Sequence, residues 1–297
     1  MTVFRPSTTL GTLFGAAVAL FSFAVGGLLL YKGLSQDVAL DQIWPFLVSS
    51  VFFAIAALYA YWTWGCSSMS YVVDRNALSI RWGGLRQVVP LDRIERLVPG
   101  AEIEHPHVEG VSWVGHHVGR AFVETIGDVL FYSTHRTMRE VLYVQTDTDT
   151  YGISVADQVF FAQTVQSNQA RGPLFDQRQA VHRFGVAAQS FWLDSNALLL
   201  AAVLLVSFFL VLGYVLHIYP GLAQSVPLRF PSLGGVVRVS DRSALLDIPR
   251  SAMGFLTVNL VLAVLLHSWE RMVGYVLLLS GIAIQVMLLV AAIVAVA

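Results

Sequence analysis

The sequence predicts an integral membrane protein: about five transmembrane α-helices holding one soluble, β-rich domain between the second and third spans. Three observations predict it. Of 297 residues, 56% are hydrophobic and 12% charged, with a mean hydropathy of +0.66, outside the range of soluble globular chains. Five runs reach or approach the ~20 residues needed to cross the hydrocarbon core: 12–31, 44–64, 196–216, 252–267 and 273–296. Between the second and third runs the hydrophobic period changes from that of helices to that of strands.

The first run follows a single basic residue, Arg5, and ends in Tyr31-Lys32-Gly33 without a small-residue cleavage site, so it reads as an anchor and not a removed signal. The polar link 32–43 turns it into a hairpin with the second run, giving an N-terminal region of 1–66. Aromatic residues mark the span boundaries, among them Tyr31, Trp44, Tyr59, Tyr61, Trp62, Trp64, Trp192, Tyr214 and Trp269, the pattern of an interfacial belt. The fourth run is the shortest and could be a tilted or re-entrant helix. No Asp, Glu, Lys or Arg interrupts any run, which weighs against an ion pathway or proton relay. Gly15, Gly26, Gly27, Gly213 and Gly281 suit close helix packing, and Asn259 and Gln285 suit hydrogen bonds between helices.

In the domain, placed at 67–170, Tyr71–Arg75 and Ala77–Trp82 read as a hairpin turned by Asp74-Arg75-Asn76. Gly83-Gly84 turns into a strand over 85–89, and Pro90–Arg96 reads as a strand end with a helical turn. Residues 99–119 carry no period and read as a loop long enough to be a contact surface. Strand patterns return at 121–125, 129–133, 141–146 and 151–154. A helix capped by Asp157 then runs to about Gln169. A polar connector, 171–195, reads as a linker helix. The last part, 196–297, holds three runs and a proline- and glycine-rich stretch, 218–251, that reads as an extended loop.

Two sets of residues carry family resemblances. Tyr71-Val-Val-Asp-Arg-Asn-Ala-Leu-Ser-Ile-Arg-Trp-Gly, then Val89-Pro-Leu-Asp-Arg-Ile, then Tyr151-Gly-Ile-Ser-Val-Ala-Asp with Phe160-Phe161, resembles the bacterial PH-like (pleckstrin-homology-like) domain family. The resemblance covers about 70–170. It implies an antiparallel β-barrel plugged by a C-terminal α-helix, and a role in binding or scaffolding without catalysis. More weakly, 218–296, with Val226-Pro-Leu-Arg-Phe230, Gly234-Gly235 and Asp241-Arg242 before two spans, is similar to a small bacterial membrane domain of unknown function found in sporulation-delay immunity proteins. Arg229 stands where that family has His, and Ser243 or Ala244 near its expected Gly.

The region 66–190 holds eleven Arg against thirteen Asp or Glu. Nucleic acid is therefore not an expected partner, nor is a general anionic-lipid clamp. The inositol-phosphate role of eukaryotic PH domains does not carry over, because Asp74-Arg75-Asn76 is short and offers one positive charge. His105, His107, His116 and His117, with neighbouring glutamates, form the one cluster that could hold a metal, but a solvated loop is the expected reading, and no metal or cofactor is expected. The lone Cys66 excludes an intramolecular disulfide. No nucleophile elbow, zincin helix or phosphate loop is present, and no enzymatic activity is expected.

Candidate partner-binding residues are Trp113, Arg120, Arg229, Arg238 and Arg242. The expected partners are the lipid bilayer and another membrane or cytoplasmic protein, with the chain in the inner (cytoplasmic) membrane and its domain in the cytoplasm. Placing the domain inside follows the resemblance, since the arginine counts on the two faces nearly tie. The leading reading is a non-enzymatic, membrane-anchored interaction or scaffold protein, with an accessory subunit of a larger complex as its narrower form. The alternative is an envelope sensor or immunity-type protein whose 218–251 loop recognises a peptide or stress signal.

Overall fold

The computed structural model describes residues 1–102, 106–230 and 236–296. The chain divides into two compact units, Met1–Ala24 with Phe53–Ala188, and Val25–Phe52 with Gln189–Ala297. Five helical stretches are long and apolar enough to cross a membrane: Thr9–Ser35, Leu40–Ser67, Ser195–Gly221, Arg242–Leu266 and Arg271–Val296.

In the first unit two sheets are built on the ends of helices α1 (Thr9–Ser35) and α2 (Ile43–Ser67). Strands β1 (Thr2–Phe4), β2 (Ser70–Val73), β3 (Ala77–Trp82), β4 (Leu85–Pro90) and β11 (Ala180–Arg183) form one sheet in the order β1-β2-β3-β4-β11. The second comprises β5 (Ile94–Pro99), β6 (Glu109–Trp113), β7 (His116–Val123), β8 (Gly127–Ser133), β9 (Val141–Thr146) and β10 (Thr150–Ser154), in the order β5-β9-β10-β8-β7-β6. The first hairpin turns as its residues dictate: Asp74 Oδ1 accepts from the backbone N–H of Asn76 and Ala77, at 2.7 and 2.8 Å, the Asx-turn chemistry that aspartate favours.

Helix α3 (Gln158–Ala170) is N-capped by Asp157, whose carboxylate accepts from Phe160 N at 2.9 Å. Its Phe161 and Val165 are buried in a core shared with Tyr71, Leu78, Ile80, Tyr151 and Ile153. Polar groups in that core are paired across the sheets. Tyr71 donates its hydroxyl to the Tyr132 carbonyl at 2.7 Å and accepts from Ser154 N. Gln87 Nε2 donates to the Tyr151 hydroxyl at 2.7 Å. Burial pushes both phenols well above their ordinary range.

Several expectations are corrected. The strands form two sheets bridged by side chains, not one closed barrel, and pairing is not wholly antiparallel: β10 inserts between β9 and β8 and runs parallel to β8, with Thr150 opposite Val129. A period of two reports which face a residue takes but not which strand lies beside it. The stretch expected as an unpatterned loop, 99–119, contains β6 and the start of β7, and the expected linker helix contains β11, paired to β4. The 218–251 stretch forms a hairpin of β12 (Ser225–Phe230) and β13 (Val236–Asp241). The fourth helix, α5 (Asp247–Leu266), begins before the expected 252, and Pro249 is tolerated in its first turn, where a missing N–H costs no helical bond.

In the second unit α4 (Ser195–Ile218), α5 and α6 (Arg271–Val296) pack around Leu204, Val211, Ala252, Ala263 and Leu278. A Cβ on Gly281 would lie 3.1 Å from Leu204 and 3.3 Å from Asn259, so glycine sets how closely the helices approach. Gln285 Nε2 donates to the Ala252 carbonyl at 2.8 Å, and Ser280 donates to Asn259 Oδ1 at 3.3 Å. The N-terminal helices within this unit use the same device: Ser49 donates to the Gly26 carbonyl at 2.8 Å.

Candidate interaction surfaces

The β6–β7 hairpin points its tip at the helices. Gly115 lies so close to α1 that a Cβ on Gly11 would overlap the Gly115 carbonyl. Trp113 donates its indole N–H to the Gly11 carbonyl at 3.0 Å. Its ring stacks on Tyr59 at 5.5 Å and contacts Trp62 and Phe14 at 6.0 and 6.3 Å. Trp113, expected as a partner-binding residue, is thus turned onto the chain's own helices.

Behind it lies His116, fully buried and stacked on Trp113 at 4.5 Å. His116 Nε2 accepts from Trp82 Nε1–H at 3.0 Å, which places the proton of the neutral ring on Nδ1. Burial first, and the neighbouring His117 second, lower its pKa to about 4. A neutral imidazole in an aromatic box is a packing element and hydrogen-bond acceptor. Sequence reading missed Trp82 as its partner, since nothing in the order of residues relates positions 82 and 116.

Adjacent strand residues point to opposite faces, so His117 leaves His116 and joins a different pair. It stacks on His135 at 4.2 Å and shares a hydrogen bond with Ser112 Oγ at 2.9 Å, while His135 bonds Ser133 Oγ at 2.8 Å. His107 is exposed, and His105 lies outside the described residues. Among the described residues no three His, Cys, Asp or Glu side chains are placed to hold one metal ion.

Arg120 is exposed on β7, opposite Leu130. It lines an open groove of about 330 Å³ with Asp128, Asp147, Thr148 and Asp149. Since β7 starts at the tip that adjoins α1 and runs away from it, this groove lies at the end of the domain remote from the helices. Its floor is braced: Gln179 donates to Asp149 and Tyr151, and Arg93 stands 3.6 Å from Asp147.

In the second unit Arg242 packs its guanidinium over the Tyr219 ring at 5.0 Å, a cation–π contact within the chain. Arg229 and Arg238 lie in β12 and β13, opposite Val237 and Leu228, and only their backbone falls within the described residues. A further polar cluster was not foreseen. Asp194 caps α4 through Oδ1, its Oδ2 accepts from the Tyr275 hydroxyl at 2.6 Å, and His267 Nε2 stands 3.2 Å from that Oδ2. The Tyr275 hydrogen bond, aided by the capping N–H groups, holds the Asp194 carboxyl below its usual range.

The chain matches no curated protein and no solved structure. The similarity of 218–296 to the sporulation-delay immunity domain gains no support. Residues 69–169 match the family model of the bacterial PH domain, so this segment is similar to PH-like domains, in a chain with five helices long and apolar enough to cross a membrane.

Proposed function

We propose that the protein is a non-enzymatic, membrane-anchored interaction module that serves as an accessory subunit of a larger assembly in the inner membrane, with its PH-like domain on the cytoplasmic side. The observation that carries this reading is the division of labour within the domain. One end is committed to the chain's own helices through Trp113 and Gly115, while the Arg120 groove at the other end carries exposed charges of both signs on a braced floor. A polar surface of that kind suits reversible protein contact.

The test is extraction of the full chain into lipid nanodiscs from cells treated with a short crosslinker, for wild type and Arg120→Glu. A defined co-purifying protein whose yield falls at least tenfold in the variant supports the reading. Recovery of only the bare chain from wild type sinks it. Sidedness is tested separately with a reporter fused after Gln169: activity in the external compartment alone would place the domain outside.

A further inference from the structure

The net charge of the domain conceals a basic row. In the five-stranded sheet, Ser70 on β2 stands opposite Arg81 on β3, Arg81 opposite Arg86 on β4, and Arg86 opposite His182 on β11. At the other edge Phe4 on β1 pairs with Tyr71, and Arg5 is the residue that follows the end of β1. Directly opposed residues share a face. Four strands therefore present Ser70, Arg81, Arg86 and His182 in one line, with Arg5 just past β1 at its edge and no acidic residue in it. Arg5, Arg81 and His182 are exposed and Arg86 is partly so.

Like charges directly opposed across strands are destabilising. Among the described residues no carboxylate pairs with any of these cations; Arg86 reaches only the neutral hydroxyl of Ser79, at 3.0 and 3.3 Å. Among the described residues, then, the counter-charge to this row is left to whatever the sheet faces.

The position of the row says what that is. Arg5 precedes α1 by four residues, and Ser70 follows the end of α2 by three. One step nearer the helices, the Gly83 turn between Arg81 and Arg86 lies against α2: a Cβ there would sit 3.3 Å from Gly65 and from Trp64. Gly84 accepts from the backbone N–H of Phe184, directly after β11, at 2.6 Å. Trp64 and Phe184 are both more than half exposed, aromatic rings at the level where apolar helix gives way to polar chain, as interfacial anchors are. The row thus lies beside the ends of α1 and α2, the level that a membrane interface takes where such helices cross a bilayer.

We infer that Arg5, Arg81, Arg86 and His182 form a docking surface for the anionic headgroups of phospholipids in the adjacent leaflet. The headgroup phosphates supply the missing counter-charge. This goes beyond the protein-partner reading, which concerns the opposite end of the domain and stands or falls separately.

The test is native mass spectrometry of the full chain in detergent titrated with phosphatidylglycerol or phosphatidylcholine, for wild type, R81Q/R86Q, and R96Q/R178Q as a charge-matched control away from the row. Each arginine near an anionic surface contributes about fivefold in affinity. R81Q/R86Q should therefore hold phosphatidylglycerol about 25-fold more weakly than wild type, with phosphatidylcholine and the control unaffected. Equal retention by R81Q/R86Q overturns the inference. Displacement of the lipid by inorganic phosphate at tens of millimolar would make the row a site for a soluble anion and also overturn it. Thermal unfolding in phosphatidylcholine alone guards against a folding artefact. With the repulsion relieved, R81Q/R86Q should melt no lower than wild type, and a lower midpoint would mean an internal counter-ion exists, which sinks the proposal.

Discussion

The two units of this chain hold themselves together by different means. The first unit has a core of large apolar and aromatic side chains, Tyr71, Phe131, Tyr143, Tyr151 and Phe161 among the fully buried ones. Burial of such groups from water is the dominant favourable term in a water-facing domain. The helices of the second unit are apolar on their outward faces as well as toward one another, so in a bilayer apolar burial would give them little reason to associate. Their contacts instead use Gly281 for close approach and Gln285, Asn259 and Ser280 for hydrogen bonds. The same residue type therefore carries different weight in the two units: a buried polar side chain in the sheets is a group to be satisfied, whereas between the helices it is part of what joins them.

This contrast breaks most visibly where the domain meets α1. Leucine at Gly11 would drive a side chain into the Gly115 carbonyl and Cys66 Sγ. Gly11→Leu should lower the stability of the β-domain by about 3 kcal/mol or more, read as a lower unfolding midpoint in detergent and faster proteolysis between residues 99 and 119. Leucine at Gly27, which would meet nothing within 4 Å, should change the midpoint by less than about 0.5 kcal/mol. Equal effects at the two positions would show that the hairpin tip is not seated on α1.

Acid should separate the units next. The folded domain keeps His116 neutral with a pKa of about 4, whereas the unfolded chain protonates it near 6.5. Its contribution is fully present above about 6.5 and is lost as the pH falls toward 4, because the unfolded state takes up the proton first. The loss is roughly 3 kcal/mol across that window. Urea unfolding at pH 7.5, 5.5 and 4.5 should show the decline, and His116→Leu should flatten it. A variant as steep as wild type would assign the dependence to other groups.

In the helical unit, Gln285→Leu removes the bond to the Ala252 carbonyl and should cost about 0.6–1.7 kcal/mol, the scale of hydrogen bonds between helices in lipid. Steric-trap or thermal measurements in bicelles would read it. A stabilised variant would mean that packing alone joins α5 and α6. Smallest of all, Arg120→Glu should leave both unfolding midpoints within about 0.5 kcal/mol of wild type while altering what the domain captures. A large stability loss would make Arg120 structural.

Much of the fold was legible from residue order because its signals are local. The five apolar runs, the Asp74 turn, the Gly83-Gly84 turn and the Asp157 cap each depend on neighbours within a few positions. The interhelical roles of Gln285 and Asn259 were legible too, since a polar side chain inside an apolar run has few other partners. What residue order did not reveal is long-range. β1 and β11 are three- and four-residue strands with no detectable period. They exist because β2 and β4 offer open edges.

By itself, then, the sequence determined five runs long and apolar enough to cross a membrane and an inserted segment similar to PH domains, because length, hydropathy and turn chemistry act through nearest neighbours. Only the tertiary structure decided the order β9-β10-β8, the bond between Trp82 and His116, and the union of Asp194 with Tyr275 across 81 positions. It also decided that Arg81, Arg86 and His182, lost in a near-neutral sum, stand in one line with Arg5 at its edge. Charge adds up along a chain without regard to place, but it attracts and repels through space. Strand register is what turns scattered cations into a surface.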